Sequence, residues 1–155
     1  MSTDPLSPDI DSCRYLYLRR LWEPWENGLG VTVDEAVVGS GKVPDTATSV
    51  GPIVVGTQSR AFQLIWPRYV AYSVTNESYT VLREADRIAS GRLLIRYAAS
   101  EYLDHLHRAT IYGEMTDFLG EMIHIRLVCL NHIIDVVSGD IPEVQSVPPR
   151  PWNES

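Results

Sequence analysis

His132 and Asp135 stand beside Asn131 where the apolar stretch from Met122 to Val137 is broken by polar residues. An imidazole oriented by a carboxylate is the working part of a general base. Glu77, in the polar turn Asn76-Glu77-Ser78-Tyr79, is a further acid that a cleft could use. A hydrolase would also need a nucleophile. Cys129 and Ser138 are close in sequence, but Cys129 falls on the apolar face of its strand and no nucleophile elbow surrounds Ser138. On extended backbone His132 and Asp135 point to opposite faces. The competing account is a polar break whose side chains satisfy backbone groups at a bulge or strand end. His132, Asp135 and Glu77 are therefore the candidate catalytic residues of the alternative function, a small hydrolase-like enzyme using a His/acid pair in a pocket.

The remaining polar groups carry less. His105 and His107 are two apart on a predicted helix and diverge, so they cannot share one metal ion. Glu101 with His105, and Asp104 with His107, do share a face, but a third and fourth ligand are not evident, and acid–imidazole pairs on a solvated helix explain them as well. Gly39-Ser40-Gly41-Lys42 lacks the spacing of a phosphate loop, and Val43-Pro44 stops a helix from following. No metal site and no cofactor is expected.

A denser signal is aromatic. Phe62, Trp66, Tyr69, Tyr72 and Tyr79 lie close together around Pro67, which cannot donate to a strand ladder and so points to a sheet edge. Aromatics in a strand pack the core by default, yet at an edge some would be covered by another chain. These five are the candidate binding or interface residues, with a homo-oligomer or a protein partner as the occupant.

Which elements must hold these residues follows from periodicity. Phe62, Leu64 and Trp66 alternate with Ala61, Gln63 and Ile65, and Val70, Tyr72 and Val74 continue the alternation, so the run is either a hairpin or one long strand bent at Pro67. Ser100 is an N-cap for a helix whose apolar stripe is Tyr102, Leu103, Leu106 and Ala109. Met122 to Leu130 reads as a strand with Ile123, Ile125, Leu127 and Cys129 toward the core, and Ile133 to Val137 as another. Arg14 to Trp22 fits a strand or a helix opened by Ser7-Pro8, with the helix favoured. No βαβ alternation occurs. The expected fold is α+β: an antiparallel sheet, curled toward a half-barrel, with one main helix packed on a face and an N-terminal helix or strand. The expected organisation is a flexible N-terminus over 1–12, an appendage over 13–38, a linker loop over 39–50, a single domain over 51–141 and a Pro-rich tail over 142–155.

Composition bounds the rest. The 155 residues suffice for one domain, and the net charge of −7 argues against general affinity for nucleic acid or anionic membranes. The N-terminus has no signal-peptide pattern and no run approaches a membrane span, so a cytoplasmic protein is expected. Cys13 and Cys129 are the only cysteines, weak grounds for a disulfide. Lys and Arg total 13 and Lys42 is the only Lys, a bias typical of GC-rich, often bacterial, coding.

The run Phe62 through Tyr79, and Cys129-Leu130-Asn131-His132-Ile133-Ile134-Asp135-Val136, resemble small uncharacterised bacterial proteins. The resemblance implies a bacterial source and a single domain, and no activity, substrate or site residue. The leading expectation is a non-enzymatic binding or protein-interaction module.

Overall fold

The computed structural model describes residues 3–38, 53–56 and 58–149. The expected linker loop, 39–50, lies outside the described residues. A short helix α1 (Pro8–Ser12) opens the fold, with Ser7 as its N-cap and Pro8 in its first turn. The strands are β1 (Tyr15–Trp22), β2 (Leu29–Val38), β3 (Ile53–Val54), β4 (Ala61–Trp66), β5 (Tyr69–Asn76), β6 (Arg87–Ser90), β7 (Leu94–Ala99), β8 (Ile123–Cys129), β9 (His132–Ser138) and β10 (Glu143–Val147). Helices α2 (Glu101–Ala109) and α3 (Thr116–Leu119) lie between β7 and β8.

The strands form two five-stranded antiparallel sheets, the first ordered β1-β2-β4-β10 with β3 on β2, the second β5-β9-β8-β7-β6. This is an α+β fold, and its sheets do not close into a barrel. Leu16, Val31, Val33, Phe62, Leu64 and Trp66 of the first sheet meet Leu94, Ile125, Leu127, Ile134 and Val136 of the second in one core. Each such buried side chain contributes about 1.5–3 kcal/mol. A smaller cluster forms on the outer face of the second sheet, where Leu106 of α2 packs on Met122 and Val137 with Tyr102, Leu103, Val70 and Tyr112 around them. The layers are therefore sheet, sheet and helix.

Several sequence expectations change. Tyr15–Trp22 is a strand, and the helix opened by Ser7-Pro8 is only five residues long. Residues 13–38 are not an appendage: β2 pairs with β1 on one side and β4 on the other, and Leu16, Val31 and Val33 are core. The stretch expected as a tail contains β10, which pairs along β4 from Glu143↔Ile65 to Val147↔Ala61, since Pro142 and Pro148 flank the strand without entering it. The polar turn after β5 is a 3₁₀ turn, Glu77–Tyr79, capped by the Asn76 side chain.

Pro67-Arg68 is where the chain leaves one sheet for the other. β4 runs in the interior of the first sheet and β5 forms an edge of the second, so the bend is a corner between sheets. Its carbonyls are satisfied by side chains rather than by ladder N–H groups. Trp25 Nε1 donates to the Pro67 carbonyl at 2.9 Å and the Ser138 hydroxyl donates to the Arg68 carbonyl at 2.6 Å. A second anchor joins the ends of the sandwich: Asp11 Oδ1 accepts from the backbone N–H groups of Arg92, Leu93 and Leu94. Gly91 precedes them at φ 89°, where a Cβ would fall 1.9 Å from the Leu94 carbonyl oxygen. No helix among the described residues is long and apolar enough to cross a membrane.

Candidate functional site

The hairpin β8–β9 turns at Leu130-Asn131, with Asn131 at φ 69°. This turn fixes the register that sets Arg126 opposite Asp135 and leaves His124 diagonally beside them, all on the face turned toward α2. His124 Nε2 and Asp135 Oδ1 are 2.7 Å apart, and Ser100 Oγ lies 2.7 Å from His124 Nδ1. Arg126 donates from Nε to Oδ1 at 2.8 Å and from a terminal nitrogen to Oδ2 at 3.2 Å. The Tyr97 ring stacks on the imidazole at 4.5 Å and Tyr102 tilts against it at 5.2 Å.

Burial would raise the Asp135 carboxyl, but hydrogen bonds from His124 and Arg126, with the Arg126 charge, outweigh it and hold the acid below its ordinary value. An ionised carboxylate only accepts, so Nε2 of His124 carries a hydrogen.

Nucleophile, imidazole and acid in a hydrogen-bonded row is the order of a serine hydrolase relay. The surroundings also give the row a structural role. Ser100 is 2% exposed and His124 1%. The Ser100 hydroxyl oxygen already accepts from the Leu103 N–H as the N-cap of α2, and neither Ser100 nor His124 lines the cavity at Arg68–Val70 or the two that open beside α2. What the row does is tie the first turn of α2 to the centre of the second sheet.

The expected His132–Asp135 pair does not form. Asp135 is committed to the outer-face residues His124 and Arg126, whereas His132 sits at the start of β9 on the opposite face. Glu77 is exposed beyond the end of β5, and its N–H donates to the Asn131 carbonyl. No hydrogen bond among the described residues links His132 with Asp135 or Glu77. The thiols offer no nucleophile: burial raises Cys13 to about 11 and Cys129 to about 12, and both are free. Glu101 is bridged to Arg83 at 2.8 Å, and no group of three or more metal-ligating side chains converges among the described residues.

The five aromatics separate. Phe62 and Trp66 are core and present no surface. Tyr69 and Tyr72 are half-buried on β5, ring edge to ring face at 4.8 Å, and the Tyr69 hydroxyl donates to Glu23. Tyr79 is 80% exposed.

Beside the start of β5 lies a mainly apolar cavity of about 300 Å³. Val70, Tyr112, Met115 and Leu119 supply its apolar lining, Arg68 and Asp140 its charges. It carries no periodic signature in the sequence, because Ile111–Glu114 and α3 are short and irregular. The one legible sign was apolar Ile111, Met115, Phe118 and Leu119 in a segment too short to bury them; Phe118 is 88% exposed.

The sheet edges differ in their protection. β1 carries Arg19 and Arg20 and a register shift, β6 has four residues with two register shifts and starts at Arg87, and β10 begins with Glu143 between flanking prolines. β5 has eight residues, no charge, no proline and one irregularity at its start. Charges, prolines, bulges and shortness are how edges avoid pairing with other chains, and β5 uses these least. Comparison of the chain with protein-family models, with curated proteins and with solved structures returns no match in any of the three.

Proposed function

We propose that this protein is a non-enzymatic interaction module that receives an extended, apolar segment of a protein partner at β5. The observation that carries this is the charge-free edge strand opening directly onto the apolar cavity at Val70. Strand addition supplies main-chain hydrogen bonds, and alternate side chains of the added strand have a pocket on the helix side. The arginine bias supports a bacterial setting for this role.

The test is display selection of random peptides on the immobilised full chain. Enriched peptides should alternate apolar residues and should lose binding on Met115→Glu. Failure to enrich any sequence, or enrichment indifferent to both Met115→Glu and Val74→Lys, overturns the proposal.

One observation favours the hydrolase alternative, the hydrogen-bonded row Ser100–His124–Asp135. A fluorophosphonate probe separates the two: labelling of Ser100 in the folded chain supports an enzyme, and an unlabelled chain supports the interaction module.

A further inference from the structure

We infer that the second sheet holds a separate binding site for a small organic oxyanion, a carboxylate or phosphate group on an apolar body, with the Arg96 guanidinium as its anchor. The site does not depend on the docking edge at β5, and its lining shares only Gly139 with the apolar cavity there.

The site begins as a gap in the sheet. β7 pairs with β8 only from Leu94↔Leu127 to Arg96↔Ile125. Past that pair the strands part. β7 follows β6 to Ala99↔Arg87, while β8 follows β9 to Ile123↔Ser138. A cavity of about 580 Å³ opens where they diverge, within the size range of small-molecule sites. Ala98 and Ile123 line it from the two strands, Leu103 and His107 from α2, and Thr116 from α3.

Arg96 stands at the vertex of the gap. Three arginines among the described residues are half-buried: Arg19, Arg96 and Arg126. Arg19 holds Asp34 and Arg126 holds Asp135, but no carboxylate of the described residues pairs with Arg96. Its Nε is buried without a hydrogen-bond partner among the described residues, and so is Oγ of Ser90, its register partner on β6. Buried donors are almost always bonded in folded proteins, and a half-buried cation ordinarily keeps a counter-charge. The chain has 20 acidic residues against 13 basic ones, so carboxylates are not scarce. An oxyanion in the cavity supplies the absent charge, and the oxygens of a carboxylate or phosphate match the guanidinium fork. The Thr116 hydroxyl and the His107 ring can add hydrogen bonds, while Leu103 and Ile123 offer contact for an apolar body.

Glu121 also lines the cavity and opposes an anion there. This carboxylate gives the inference a sign. Neutralising it helps an oxyanion and harms an ammonium ligand.

Amide NMR titration of the full chain tests this with three probes that share a phenyl ring: benzoate, phenyl phosphate and benzylamine. Benzoate or phenyl phosphate, at millimolar concentration, should give saturable shifts at Ala98, His107, Thr116 and Ile123. Saturation by one of the two alone identifies the head group as carboxylate or phosphate. Arg96→Met should weaken that binding at least tenfold. Glu121→Gln, at an exposed side chain, should tighten it several-fold, and it decides the matter alone if Arg96→Met does not fold. The inference is overturned by benzylamine binding as tightly as the anions, by no saturable shift with either anion, by a folded Arg96→Met that binds as before, or by Glu121→Gln leaving affinity unchanged or lower.

Discussion

Arg126 and Asp135 face each other directly across the β8–β9 ladder, and the guanidinium reaches both carboxylate oxygens while His124 shares one of them. A carboxylate 5% exposed is tolerable only with partners of this kind. Asp135→Leu leaves the part-buried Arg126 guanidinium and the buried His124 N–H without their acceptor and should cost about 3 kcal/mol in urea unfolding. Adding Arg126→Met should recover much of that loss, because removing both charges is less harmful than removing one. A double variant as unstable as the sum of the singles would contradict this account.

The same carboxylate sets an acid dependence. Its folded value lies below the ordinary 3.8. Between the two values the unfolded chain binds a proton that the folded chain does not, so the stabilisation is present above 3.8 and fades as pH falls through the folded value. Unfolding titrations of wild type and Asp135→Asn should converge as the solution is acidified below that point. Parallel curves would show that Asp135 is not depressed.

Ser100→Ala removes an N-cap and leaves a buried imidazole nitrogen without its partner. The cap alone is worth about 1 kcal/mol, and the orphaned nitrogen adds about 1–3 kcal/mol. Hydrogen exchange should quicken first in the opening turn of α2, at Leu103 and Asp104, whose N–H groups bond to Ser100. Uniform quickening across the molecule would mean that Ser100 does not act locally.

Asn131 occupies the left-handed region, which costs an ordinary side chain about 1–2 kcal/mol. Asn131→Gly should be nearly neutral, whereas Asn131→Val should lose that amount and disturb the register that pairs Arg126 with Asp135. Equal stability of the two variants in chemical denaturation would remove the turn from its proposed role.

The sequence was most legible where side chains repeat with a clear period. Phe62, Leu64 and Trp66 share the core face as read, Ser100 does cap the helix, and Ile125, Leu127 and Cys129 do point inward. It was least legible where long-range pairing decides. The alternation that turns Ile125, Leu127 and Cys129 inward puts His124 and Arg126 on the other face, but nothing local announces that α2 covers that face and buries their network. The hairpin register was recoverable: with Leu130 and Asn131 as its turn, Arg126 and Asp135 must be partners, and His132 was a distraction created by reading Asn131-His132 as a break. β10 escaped because prolines bracket only five residues, and strands that short take their identity from the neighbour they join.

The pairing of β4 with β10 also fixes when the molecule can be finished. β4 ends at Trp66, yet its outer neighbour begins at Glu143, after every strand of the second sheet. On the ribosome, β4 therefore waits as an open, apolar-flanked ladder until the whole second sheet has been synthesised. The first sheet is begun before the second and completed after it, so the partly made chain exposes an unpaired strand that the finished one covers.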